Sequence, residues 1–285
     1  MSLEQTQQGK QAVEAVHDIV SAMRAIAAGR IQSAQRALVQ ARRYQELVKQ
    51  SLAALPSAAK SLPLPQSDGG RVMLMVLTSE QPFCGGFNQQ VLTLAEKLWR
   101  EYRAAGQIHL LAVGQRGVAQ MMARGIMPDE SVQATTSMQG MRNLVRRLVK
   151  LVDERYVTGE MAELRVIYNR YQSVSEQVPT EEKLLPFDWS RVAESAIPDG
   201  GELDRYLELP ELLAGLIGEY VFINLYRIAA ESFTSEQANR LLAMDGATRN
   251  TEKMIQSLAE LERRQRQELI TRQVLELIAA RFAAD

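Results

Sequence analysis

Four groups of residues have types and spacings that could do chemistry. Thr78-Ser79-Glu80-Gln81-Pro82-Phe83-Cys84-Gly85-Gly86-Phe87-Asn88 joins an apolar run to a helical one, where Rossmann-like folds place loops whose amides hold a phosphate. It contains neither GxGxxG nor GxxxxGK[ST], and no lysine to meet a phosphate, so it reads as a tight turn. Cys84 is the only cysteine, so neither a disulfide within the chain nor a multi-cysteine metal site is available. The two histidines, His17 in an N-terminal helical stretch and His109 inside an expected strand, are not placed to serve it as a base. Glu181-Glu182 and Asp199 with Glu202 pair carboxylates in loop-like stretches with no pocket evident. Arg142, Arg146, Arg147 and Lys150 form a basic stripe at helical spacing, with no aromatic side chains interleaved as stacking on nucleic acid would need. Neither a catalytic constellation nor a cofactor or metal site emerges.

The polar run Ser235-Glu236-Gln237-Ala238-Asn239-Arg240-Leu241-Leu242-Ala243-Met244-Asp245-Gly246-Ala247-Thr248-Arg249-Asn250 differs from these. It is helical in pattern, dense in Gln, Arg, Asn and Thr, and interspersed with small residues. It reads either as an exposed coiled-coil flank or as a polar grip on another subunit.

The elements that must position these residues follow from the prolines. All nine lie between Pro56 and Pro210. Proline breaks helix interiors, so both proline-free ends are free to be helical, and both are rich in strong helix formers. Val13, Val16, Val20, Met23 and Ala27, continued by Ala34, Leu38, Ala41 and Val48, repeat at the three-and-four spacing of a coiled-coil seam. A later seam is expected through Leu241, Met244, Thr248, Ile255, Leu258 and Leu261. At the helical rise the N-terminal helix spans about 80 Å and the C-terminal one, from Glu211 on, about 110 Å. Flanking one domain, the two must run antiparallel if they pair, which leaves the C-terminal tip from Leu269 to Phe282 unpartnered. That tip is too apolar to stand alone in water, which implies a partner that surrounds it.

Between the ends the pattern alternates strand and helix. Residues 56–70 read as a Ser/Pro/Gly-rich linker. Strands are expected at 71–78, 108–113, 132–135 and 163–168, with an edge strand at 177–185. Helices are expected at 89–104, 116–123 and 138–157. The fold class is therefore α/β plus a long antiparallel coiled coil: a helix at 1–55, the linker, a Rossmann-like α/β domain at 71–208 inserted between the helices, and a helix at 209–285. Net charge of −1 argues against a nucleic-acid-binding role. A single cysteine fits a reducing compartment, and no signal pattern or apolar stretch of about 18 residues is evident, so any membrane link is expected to run through a partner.

The run from Ser235 to Asn250 resembles the gamma subunit of F-type ATP synthases, whose pattern is close to S-E-Q-A-x-R-x-x-A-M-x-x-A-T-x-N. Ser235, Glu236, Gln237, Ala238, Arg240, Ala243, Met244, Ala247, Thr248 and Asn250 carry the match. Cys84-Gly85-Gly86-Phe87-Asn88 is similar to that family's L-C-G-G-L-N, and Ala22-Met23-Arg24-Ala25-Ile26-Ala27-Ala28-Gly29-Arg30 to its A-M-x-M-V-A-A-x-K/R. Gln177-Val178-Pro179 and Leu184-Leu185-Pro186 match two further short motifs. The chain departs from the family at Asp18-Ile19-Val20-Ser21, which lacks the usual lysines, and at Gln273 and Ala280, which replace a glutamate and a glycine.

The resemblance implies a rotor shaft inside a ring of alpha and beta subunits, coupling ATP chemistry to proton or sodium transport. Catalysis would belong to beta, with no cofactor or metal on this chain. The α/β domain would touch the epsilon subunit and the membrane c-ring, on the cytoplasmic side of the inner (plasma) membrane. Gln237, Arg240, Gln267 and Thr271 would contact the polar catch loops of the ring, and Met23 with Arg24 would lie close to a beta subunit. A coiled-coil scaffold without rotary function explains the seam but not the Ser235–Asn250 match. A nucleotide-binding enzyme would need the Gly85-Gly86 loop.

Overall fold

The computed structural model describes residues 2–55, 59, 62, 70–104, 106, 108–193 and 207–282. The expected linker falls almost wholly outside them, as do Asp199 and Glu202. The chain divides into two compact units, one of residues 1–27 and 241–285, the other of residues 28–240. Helix α1 (Leu3–Ala53) and the C-terminal helix (Leu209–Phe282) each contribute to both units.

The larger unit is built on a five-stranded sheet of β1 (Arg71–Leu77), β2 (Ile108–Val113), β3 (Glu130–Val132), β4 (Met161–Tyr171) and β5 (Gln177–Leu185). The order is β3-β2-β1-β4-β5. The first four strands are parallel and β5 returns antiparallel to β4. Helices α2 (Phe87–Ala104), α3 (Gln115–Ala123) and α4 (Met138–Val157) connect them, with a one-turn helix α5 (Ser190–Ala193) that the sequence pattern does not reveal.

β1 reads as a continuous apolar run because both of its faces are covered. Met73, Met75 and Leu77 point to one side, where they pack with Leu144 and Leu148 of α4 and with Leu225, Ile228 and Phe233 of α6 (Leu209–Phe282). Leu74 and Val76 point to the other, against Val91, Leu92 and Ala95 of α2 and Met121 of α3. The period of two in a strand thus assigns alternate residues to two cores. A third cluster joins Ala41, Val48 and Leu52 of α1 to Leu213, Tyr220 and Ile223 of α6, with Phe187 edge-on to both Trp189 and Tyr220. α6 also holds an 18-residue window of mean hydropathy 1.4, half of it buried in the fold, as in the core helix of a packed domain.

The seam on α1 differs from the expected one. Val16 is 52% exposed and His17 takes its place, whereas Met23 is half-buried and stays in the seam. The inward positions run Thr6, Lys10, Val13, His17, Val20, Met23 and Ala27 in the smaller unit, and Ile31, Ala34, Leu38, Ala41, Gln45, Val48 and Leu52 in the larger. Except around Met23 the spacings alternate four and three, the heptad of a coiled coil, and polar residues hold several core positions. On α6 the smaller unit's seam is Leu241, Met244, Thr248, Thr251, Ile255, Leu258, Glu262 and Gln265. Glu262 replaces the expected Leu261, which is 37% exposed. The reason is pairing: Gln7 Nε2 and Lys10 Nζ reach the Glu262 carboxylate at 3.1 and 3.4 Å. His17 Nδ1 meets Thr251 Oγ1 at 3.0 Å, and Arg24 Nη1 meets Asp245 Oδ1 at 3.1 Å. As residue numbers rise on α1 their partners' numbers fall on α6, so the helices run antiparallel within this unit. In the larger unit Gln45 with Asn224 (2.7 Å) and Arg42 with Glu231 (3.3 Å) follow the same sense.

Candidate functional site

Most of the polar run on α6 faces inward. Ser235 Oγ donates to the Asn169 carbonyl at 2.9 Å, and Asn169 Nδ2 to the Phe87 carbonyl at 2.8 Å, so α6, β4 and the start of α2 are bonded in series. Asn239 Nδ2 donates to Gln177 Oε1 at 2.9 Å. Glu236 and Arg240, one turn apart, form a buried ion pair at 2.7 Å. Arg240 Nη2 also reaches the carbonyls of Gln81 and Pro82 at 3.4 and 3.3 Å. Burial raises the Glu236 carboxyl above its ordinary range, and the Arg240 guanidinium pulls it back only in part.

Gln237 and Arg240, expected as contacts with a surrounding ring, are 1% and 3% exposed. The structure turns Arg240 toward the loop after β1, and buries Gln237 with its Nε2 on Glu236 Oε1 at 3.4 Å. Arg240 Nε and Nη1 and Gln237 Oε1 have no hydrogen-bond partner among the described residues. Gln267 and Thr271 are exposed, Thr271 Oγ1 donating to the Gln267 carbonyl at 2.9 Å. Met23 is half-buried, and Arg24 is held to Asp245, which a second cation, Arg249, approaches at 3.0 Å. From Arg266 to Ala279 every residue of α6 is exposed, including Leu269, Ile270, Val274, Leu275, Leu277 and Ile278.

The loop from Thr78 to Asn88 spends its polar groups on the chain itself. The Ser79 amide donates to Asn88 Oδ1 at 2.9 Å, and Asn88 Nδ2 returns to Ser79 Oγ at 2.8 Å. At the start of α2, the helix this loop leads into, the Phe87 amide is taken by the Cys84 carbonyl at 3.2 Å, and the loop itself caps α3, with the Glu80 carboxylate accepting from Gln115 N–H and the Ser79 carbonyl from Arg116 N–H. Gly114 makes the close approach possible. Its φ is +105°, and a Cβ there would lie 2.4 Å from the Thr78 carbonyl oxygen. The tight-turn reading is the one this geometry supports.

Cys84 is buried against Ser79, and burial pushes its thiol up, away from the reactive thiolate. His109 sits beside Asp129 and Glu130 at 4.0 and 3.7 Å. No group of His, Cys, Asp or Glu fit to hold a metal exists among the described residues. The Glu181 and Glu182 carboxylates are engaged in ion pairs, Glu181 with Arg165 and Glu182 with Arg227.

The Glu182 pair belongs to a network that reading the sequence does not find. Arg227 of α6 meets Glu182 of β5 at 2.6 Å, Tyr168 of β4 at 3.3 Å and Glu231 at 3.4 Å, while Arg42 of α1 reaches Glu231 at 3.3 Å. Burial alone would lower the Arg227 pKa, but Glu182, Tyr168 and Glu231 more than reverse this and hold it above its ordinary value. Nothing in the local pattern of any one of these segments announces a partner in another. The network ties both long helices of this unit to the sheet.

Comparison with known proteins places these features in context. A family model described as ATP synthase matches residues 2–283. The ATP synthase gamma chain of Methylobacterium nodulans is 32% identical, covering 94% of each chain, and that of Rhodospirillum rubrum is 31% identical over the same shares. Among solved structures, the rotor of the Euglena gracilis mitochondrial ATP synthase aligns with a TM-score of 0.63 at 16% identity, covering 94% of this chain and 98% of that one. The central stalk and c-ring structure of the Tetrahymena thermophila mitochondrial enzyme aligns at 0.56 and 18% identity, covering 80% and 99%. At such identities the likeness is one of fold: a helix at each end and a mixed α/β sheet between.

Proposed function

The chain belongs to the ATP synthase gamma-chain family, and from that premise we propose that its two long helices work as the central shaft of a rotary F-type ATP synthase. The shaft couples ATP synthesis or hydrolysis in a ring of alpha and beta subunits to ion transport through a membrane rotor. Catalysis resides in beta, and this chain supplies motion rather than reacting groups. Its partners are the alpha and beta subunits, the epsilon subunit and the c-ring. Its place is peripheral, on the cytoplasmic side of the inner (plasma) membrane, reached only through those partners and involving no nucleic acid.

The observation that carries this reading, beside family membership, is the exposed tip of α6. Six large apolar side chains between Leu269 and Ile278 stand in water in the isolated chain. A surrounding sleeve of protein would cover them, and an apolar contact excludes water without fixed pairs, as a bearing requires. Gln267 and Thr271 on the same stretch are the proposed polar contacts with the ring, and Met23 and Arg24 on α1 are proposed to lie close to a beta subunit. Exposed hydrogen bonds and ion pairs contribute about 0.5–1.5 and 0–1 kcal/mol, so they can form and release at each step. Arg240 acts from inside, holding the Gln81–Pro82 loop against α6 so that torque on the helix reaches the sheet. Co-expression with alpha and beta tests the reading: a stable complex supports it, and separate elution of this chain contradicts it.

A further inference from the structure

A groove of about 520 Å³ lies between α1, α4 and α6 in the larger unit, apart from the tip and the polar run. Its floor is apolar and aromatic: Ala41 and Ile223 are buried, and Phe222 and Tyr226 stack with ring centroids 6.4 Å apart. Arg142 and Arg146 line it from α4, one helical turn apart and both exposed. Neither makes a hydrogen bond or an ion pair among the described residues. The neighbouring cations of the stripe are engaged, Arg147 with the Gln133 carbonyl at 3.1 Å and Lys150 with Glu154 at 3.8 Å. The carboxylate among the groove's lining residues, Glu219, accepts from the Tyr44 hydroxyl at 3.1 Å and forms no ion pair with either guanidinium among the described residues, so the lining carries two cations to one anion.

We propose that this groove is a docking site for an acidic amphipathic helical segment of another subunit of the assembly. Two carboxylates a turn apart on such a segment would meet Arg142 and Arg146, whose forked donors suit carboxylates, while its apolar face covers Phe222 and Tyr226. Charge complementarity fixes the choice of occupant: a basic or purely apolar segment would leave the two guanidiniums unpaired at a closed interface, which is costly. The inference rests on the rotor reading, since it presupposes an assembly that supplies the segment.

The test replaces Tyr44, 43% exposed at the groove, with a photoreactive benzoylphenylalanine in the full chain, assembled with its co-encoded subunits. Irradiation is expected to give one adduct, mapped by mass spectrometry to an acidic helical segment of a different subunit. Arg142→Glu with Arg146→Glu should cut its yield by about tenfold or more, whereas Arg142→Lys with Arg146→Lys should keep most of it. Helicity by circular dichroism checks that the variants fold. An assembled complex that gives no adduct overturns the proposal. So does an adduct to a second copy of this chain, or one indifferent to charge reversal. A chain that fails to co-purify with alpha and beta brings down the rotor reading itself, seen before irradiation, and the docking site with it.

Discussion

The Arg227 guanidinium of α6 and the Glu182 carboxylate of β5 meet at 2.6 Å, with side chains 10% and 18% exposed. They join a helix that bears load, on the proposed reading, to the antiparallel edge of the sheet. Removing one partner of a buried pair leaves the other charge uncompensated, which costs about 3–5 kcal/mol. Arg227→Met is expected to lower the unfolding free energy of the larger unit by about that much, and more than Arg42→Met, whose side chain is 59% exposed. Chemical denaturation of both variants measures the difference.

Acid titration should single out Glu236. Burial raises its folded pKa above the unfolded value, so the folded chain holds the proton more tightly than the unfolded one. Its contribution is present below the ordinary carboxylate range and is lost as pH rises through the folded pKa. Glu236→Gln keeps an acceptor for Arg240 and removes the titration. The variant's stability should therefore fall less than that of the unchanged chain as pH rises across this window. Equal slopes in urea unfolding series would contradict the assignment.

Backbone strain predicts a third effect. Gly114 has φ of +105°, and an added Cβ would lie 2.4 Å from the Thr78 carbonyl oxygen. Gly114→Ala should cost about 2 kcal/mol or more, from overpacking and left-handed strain together. Gly29→Ala, with open space around its Cβ, should instead stabilise the interior of α1 by about 0.5–1 kcal/mol. Paired thermal melts of the two variants check the opposite signs.

Polar seam layers give a fourth. His17 and Thr251 bond at 3.0 Å where a coiled coil ordinarily places apolar residues. His17→Val with Thr251→Val should raise the stability of the smaller unit by about 1–3 kcal/mol through apolar burial. Amide hydrogen exchange along α1 reports it, and faster exchange in the double variant would show that the polar layer is itself the stabilising one.

The same seam shows what the sequence does and does not disclose. The expected bounds of β2, α4 and β5 match the structure, since an apolar run, a capped helix beginning after Ser137 and a proline-bearing, polar edge strand are each local signals. β3 occupies Glu130–Val132 rather than 132–135, being too short for periodicity to place. His17 and Glu262 were hidden as seam residues because a hydrophobic pattern cannot register a polar core position, and Val16 and Leu261 nearby offered plausible substitutes. Arg227 and Glu182, 45 residues apart, are joined only by the tertiary fold. Gln237 and Arg240 were expected at the ring only from the family resemblance, and the inward direction of Arg240 depends on a loop more than 150 residues earlier.

The most direct test of the rotor reading watches the chain move. With the alpha–beta ring immobilised and a probe on Glu101→Cys, an exposed position on α2, ATP should drive continuous rotation in one direction. A ring that hydrolyses ATP around a stationary chain, under conditions where the two co-purify, would contradict the account.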